Sequence, residues 1–135
     1  MAKKDKGFVI EPKRYEINDV FNRLGRDVLT CSHVDQRRRE RIDVDGFRVR
    51  RMSLRYMTFY QKGTKCVVCG KEGTHFNLCG DKTTKVRHFN LYADDGTLIT
   101  KDHIVPSSKG GVNNVANLQP MCSVCNAAKG NKVDE

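Results

Sequence analysis

The stretch Thr100-Lys101-Asp102-His103-Ile104-Val105-Pro106 decides how this chain is read. Side chains on a strand alternate between its two faces, so Asp102 and His103 can serve one site only where a strand is ending. Pro106 marks that end. The segment Ser107-Ser108-Lys109-Gly110-Gly111 then reads as a loop, and its paired glycines allow a sharp change of direction. A bend is expected just past the histidine. Asn117 and the run Cys122-Ser123-Val124-Cys125-Asn126 follow, so an imidazole, an anionic oxygen ligand and an amide oxygen fall within some two dozen residues.

Upstream, residues 98–105 read as the strand that delivers this motif, with 93–97 a turn and 86–92 a second strand. Residues 70–85, rich in Gly, Thr and Lys, are expected to be a long loop. A helix is expected over 53–60, with Leu54, Met57 and Phe59 or Tyr60 inward and Gly63 stopping it. Folding residues 37–51 about Asp45-Gly46 pairs Val44 with Phe47, Asp43 with Arg48 and Ile42 with Val49, which puts the apolar side chains on one face. Ile17, Val20, Phe21, Leu24 and Val28 fall at helical spacing, capped by Asn18 or Asp19 and weakened by Gly25. Such a stripe is ordinarily core. Residues 1–12 are polar and Lys-rich, and disorder is expected there. After the motif, a last helix should run from near Cys122 to about Lys129 and end at Gly130.

The chain of 135 residues reads as one domain with an appendage: a basic extension over 1–60 and a second unit over 61–135. Its apolar share is 38% without a single Trp, and 30% of its residues are charged, so the core is thin and staples are expected. The net charge of +9 favours a polyanion as partner, nucleic acid before an anionic membrane. Residues 37–55 carry eight arginines against three acids, the densest positive stretch. The plain reading is a solvated strand face; the sharper one, favoured by the net charge, is a surface along phosphates. There is no apolar run suited to a transmembrane span or a secretory signal after Met1-Ala2-Lys3-Lys4, so a soluble cytoplasmic protein is expected.

In a reducing compartment, six cysteines point to metal before disulfides. Cys66-Val67-Val68-Cys69 and Cys122-Ser123-Val124-Cys125 can each aim two thiolates at one ion, which together complete the tetrahedral set of a structural zinc. Fifty-two residues separate Cys69 from Cys122, so the knuckles should clamp the ends of a folded unit. A redox dithiol would want a thioredoxin-like strand-to-helix setting that neither pair has. Cys31, His33 and Cys79 are left over and read as structural.

Taken in order, Cys66-Val67-Val68-Cys69-Gly70, Thr100 to Pro106, Lys109-Gly110-Gly111, Asn117-Leu118-Gln119 and Met121-Cys122-Ser123-Val124-Cys125-Asn126-Ala127-Ala128-Lys129 make the last half of the chain resemble the HNH endonucleases. The likeness is strongest to the zinc-stapled members found in phages and among homing endonucleases. It implies an α+β fold: a small ββα-metal nuclease core with a four-cysteine zinc site, extended here by the N-terminal helix and hairpin. By that likeness Asp102 ends the first strand, Asn117 sits on the second and Asn126 projects from the helix. His103 is then the general base, Asp102 and Asn126 hold one divalent cation, and Asn117 hydrogen-bonds backbone to fix the loop. The third family letter is Asn126 instead of His; the family has an Asn variant, and an amide oxygen is a hard ligand suited to Mg²⁺ or Mn²⁺.

Phosphodiester hydrolysis needs an activated water in line with the leaving oxygen and a cation to stabilise charge on phosphate and departing 3′ oxygen. Imidazoles ordinarily titrate near pH ~6.5 and suit the first task. The expectation is therefore a metal-dependent endonuclease acting on double-stranded DNA, as monomer or homodimer. Arg37, Arg38, Arg39, Arg41, Arg48, Arg50, Arg51, Lys109 and Lys129 are the candidate nucleic-acid contacts, with Arg87 weaker. The rival from another class is a zinc-stapled DNA-binding protein on the same scaffold that does not cut; a toxin-like nuclease is a third reading.

Overall fold

Strand β5 (Val86–Tyr92) has neighbours on both sides because its side chains are buried on both faces along most of its length. The computed structural model describes residues 7–130, and β5 is the middle of its sheet. On one side it pairs antiparallel with β4 (His75–Asp81), whose outer edge takes the short β1 (Phe8–Ile10). On the other side β3 (Phe47–Arg50) runs parallel to it and carries β2 (Arg41–Val44). At its far end, Leu91 and Tyr92 pair with β6 (Leu98–His103), which pairs in turn with β7 (Leu118–Cys122). The mixed sheet has seven strands, and α1 (Ile17–Leu24), α2 (Arg26–Leu29), α3 (Leu54–Lys62) and α4 (Ser123–Lys129) complete the described α+β fold.

The core lies where α1 and α3 meet β4 and β5. Phe76 and Phe89 pack edge to face with centroids 5.8 Å apart, and Phe59, Tyr56 and Tyr15 close around them. Burying one such ring contributes roughly 1.5–3 kcal/mol. The Tyr56 hydroxyl accepts a hydrogen bond from the Phe89 amide at 2.8 Å, so α3 also docks through a polar contact. No helix among the described residues is long and apolar enough to cross a membrane.

The hairpin has the expected register, Val44↔Phe47, Asp43↔Arg48 and Ile42↔Val49, about Asp45 and Gly46, both at positive φ. Helix α3 starts on Ser53, whose Oγ accepts from the Tyr56 amide, and stops at Gly63. Other expectations are corrected. Residues 75–81 form β4 instead of a loop: the polar Asn77 and His75 are buried because the N-terminal segment crosses over them, and the Asn77 amide donates to the carbonyls of Glu11 and Lys13. That cover also orders residues 8–10 as β1, where disorder is expected from composition; residues 1–6 lie outside the described residues. The first helix breaks in two at Gly25, with φ +100, and begins after Glu16 without a side-chain cap from Asn18 or Asp19.

Candidate active site and metal centre

Strands β6 and β7 pair from Ile99↔Cys122 to His103↔Leu118, and the chain then opens into the loop of residues 104–117. Asn117 stands one residue before β7, at the end of a 3-10 turn, instead of on the strand. Its side chain nonetheless does what the resemblance implies. The amide oxygen accepts from Val105 N at 2.9 Å, and the amide nitrogen donates to the carbonyls of Val105 and Val112 at 3.1 and 3.0 Å. Gly111 is needed for the same closure, since a Cβ there would sit 1.6 Å from the Val105 carbonyl oxygen. The loop is thus pinned at its neck.

Thr100 and Asp102, two apart on β6, face helix α4. The Asn126 amide donates to Thr100 Oγ1 at 2.8 Å, and Thr100 donates its own proton to the Met121 carbonyl at 2.7 Å. With its nitrogen so engaged, the oxygen of Asn126 is the atom left to act as a ligand. Asp102 is only 6% exposed, and its Oδ2 accepts from Lys129 Nζ at 2.6 Å and from Gln119 Nε2 at 3.0 Å. Lys129 also donates to the His103 carbonyl at 2.9 Å and is itself buried. It therefore sits inside the fold as the counter-ion of Asp102.

His103 is half-buried, and its Nε2 lies 2.8 Å from Asn113 Oδ1. An amide oxygen can only accept, so Nε2 is the donor in this pairing and Nδ1 is the ring nitrogen not engaged by Asn113. Asp102, His103 and Asn126 line one open cavity of about 400 Å³, with Lys101, Pro106, Ser107, Ser108 and Gly130 completing it. A carboxylate and an amide oxygen there are a hard donor set, and the ammonium already bound to Asp102 marks the position as one that holds positive charge.

At the other end of α4 lies a second cluster. The sulfurs of Cys66, Cys69, Cys122 and Cys125 all fall within 4.8 Å of one another, with Cys69 and Cys122 at 3.8 Å. The Val67 amide donates to the Pro120 carbonyl at 3.0 Å, fastening the first knuckle onto β7. Burial would push the Cys66 thiol up, but hydrogen bonds from the backbone of Cys69, Cys122 and Val68 bring it down to about 6. Cys125 moves the other way, to about 12, through its hydrogen bond to Cys122, desolvation and the neighbouring sulfurs. Four sulfurs so close cannot all be anionic unaided, and one dication would let them; the geometry can hold a zinc ion. Cys79 is buried against Tyr92, with burial raising its thiol, and Cys31 bonds the Asp27 carbonyl; neither reaches the cluster.

The candidate nucleic-acid residues fall into two groups. Arg37 pairs with Asp35, Arg38 with Asp27, and Arg51 with Asp27 and Glu40, while Arg87 is buried on Glu11. Arg39, Arg41, Arg48, Arg50 and Lys109 form no ion pair among the described residues, and all but Arg39 are exposed. Asn113, which holds the His103 ring, escapes a reading by motif, while Gln119 and Lys129 lie within the quoted motifs but not in the role of holding Asp102. Asn113 is one of three asparagines within five residues, and nothing in the sequence separates it from Asn114 or Asn117.

Two strands, a pinned loop and a helix that bring an acid, an imidazole and an amide to one open cavity define a ββα unit with an adjoining four-cysteine cluster. Residues 93–135, which contain that unit, match the model of a family described as HNH endonuclease. The resemblance read from the sequence is borne out over that third of the chain; Cys66, Cys69 and the basic hairpin lie outside it. No curated protein and no solved structure matches the chain.

Proposed function

We propose that this protein is a metal-dependent endonuclease that hydrolyses phosphodiester bonds of double-stranded DNA. The observation that carries the reading is the shared cavity of Asp102, His103 and Asn126, with the His103 ring held through Nε2 by Asn113. His103 takes a proton from water, the water oxygen bonds to phosphorus, and the bond from phosphorus to the 3′ oxygen breaks; that oxygen takes a proton from a solvent water, leaving a 5′-phosphate and a 3′-hydroxyl. Asp102 and Asn126 would hold Mg²⁺ or Mn²⁺, which supplies positive charge for the phosphate and the departing oxygen when bound. Lys129 and Gln119 both bond Asp102 Oδ2 and not Oδ1, the oxygen that would face the ion, and Asn117 keeps the loop and His103 in place. The four cysteines bind a structural zinc that clamps the fold. Residues 61–135 form the nuclease unit and 1–60 a basic extension that grips the duplex. A monomer has one such cavity and nicks one strand. The purified protein should nick supercoiled plasmid with Mg²⁺ or Mn²⁺; no cutting with either ion, zinc bound, would refute the reading.

The ion pair of Lys129 with Asp102 favours a second reading, a zinc-stapled DNA-binding protein in which the ammonium permanently takes the cation's place. Calorimetric titration with Mn²⁺ separates the two: binding to the parent but not to Asp102→Asn supports the nuclease, and no binding to the parent supports the scaffold.

A further inference from the structure

A separate cleft of about 600 Å³ opens where the hairpin, α3, β5 and β6 meet. Arg39, Arg50, Arg55, His88 and Lys101 reach it from five segments of the chain, and none of its lining residues is acidic. Arg37, Arg38 and Arg51 are paired with acids, as is Arg87 in the wall of the cleft. Here Arg39, Arg50, Arg55 and Lys101 form no ion pair among the described residues, and the side chains of Arg55 and Lys101 form no hydrogen bond there. Arg39 gives one nitrogen to Gln36, while its Nε is buried with no partner. Burial, then the charge of Arg55, lowers the pKa of His88. Bringing unscreened cations together is unfavourable unless an anion joins them.

The cleft adjoins the reaction cavity. Lys101 lines both, and it lies two residues from His103 on β6, about 7 Å along the strand. Asn113, the partner of the His103 ring, lines the cleft as well.

We propose that this cleft is a phosphate subsite: it takes a backbone phosphate of duplex DNA beside the one presented to His103. The inference rests on the nuclease reading for its neighbour, and it adds Arg55, Lys101 and His88 to the interface while making the paired Arg37, Arg38 and Arg51 scaffold. Arginine forks and a lysine from several directions suit a phosphate better than a flat base edge.

The test is anisotropy of a short labelled DNA duplex in buffer without added Mg²⁺ or Mn²⁺. The double variant Arg55→Gln, Lys101→Gln should bind about tenfold or more weaker than the parent, with the slope of log affinity against log salt shallower by roughly 1–2. The charge-matched control Arg26→Gln, Lys82→Gln, changed at two exposed sites, should lose far less, and Arg55→Lys should keep most of the binding. On the unmodified protein, bound duplex should shield Lys101 from acetylation. Equal losses in cleft variant and control, or Lys101 acetylated equally with and without DNA, overturns the proposal. A parent that fails to nick plasmid yet shows the cleft-dependent binding upholds the subsite and removes the nuclease reading instead.

Discussion

The two ends of helix α4 do opposite things with the same few residues of chain. Its N-terminal turn contributes Cys122 and Cys125 to a set of four sulfurs, a closed arrangement with no position for a substrate. Its following turns present Asn126 and Lys129 to Asp102 and His103 beside an open cavity. One end fixes where the helix lies on β6 and β7, and the other uses that placement. The difference teaches that stability and chemistry can be separated by mutation here, although the two sites are within one helix of each other.

The largest effect should come from the closed end. Cys122→Ser, or removal of zinc by chelation, is expected to unfold the ββα unit, because structural zinc contributes apparent folding free energies of roughly 10–16 kcal/mol in small domains. Far-UV circular dichroism with metal analysis checks this; a chelated protein with an unchanged melting curve would erase the proposed contrast. Next comes Asp102→Ala, which strands the buried Lys129 ammonium and should destabilise by about 3–5 kcal/mol in a urea titration. If stability stays at the parent's value, Asp102 belongs wholly to the open end.

Asn113→Ala should sharpen the comparison. It frees the His103 ring without touching the core, so nicking should fall by about tenfold with the melting temperature unchanged. Retained full activity would mean that the ring is oriented by something else. The smallest effect concerns the extension. Hydrogen bonds from Arg51 hold the Asp27 and Glu40 carboxyls below their ordinary range. Depressed carboxyls give stability that is present above the unfolded pKa of about 4 and lost as pH falls through the folded value. Arg51→Gln should therefore lower the melting temperature at neutral pH, and the gap should close as the pH falls below the ordinary carboxylate range.

Much of this arrangement was legible in the chain, and the reasons are local. Asp45-Gly46 dictates a two-residue turn, so the register of β2 and β3 follows from counting. The Cys-x-x-Cys pairs name their own partners, and Asp102-His103 ahead of Pro106 announces the end of β6. What escaped depends on distant cover. Strand β4 reads as loop because Gly, Thr and Lys dominate residues 70–85, and its buried Asn77 finds partners only in the N-terminal segment that crosses above it. Lys129 reads as a candidate nucleic-acid contact; the buried carboxylate it meets instead stands 27 positions earlier. The basic stretch reads as one surface, yet acids from α2 and the loop before β2 neutralise part of it, and of the rest Arg39, Arg50 and Arg55 line a cleft.

The most direct measurement is plasmid nicking in Mg²⁺ or Mn²⁺ by the parent and by His103→Ala, side by side with zinc content and melting temperature. Removal of the general base should slow cutting by about 10²–10⁴-fold with both other readings unchanged. Cutting at the parent's rate by the alanine variant, correctly folded and zinc-loaded, would contradict the assignment of His103.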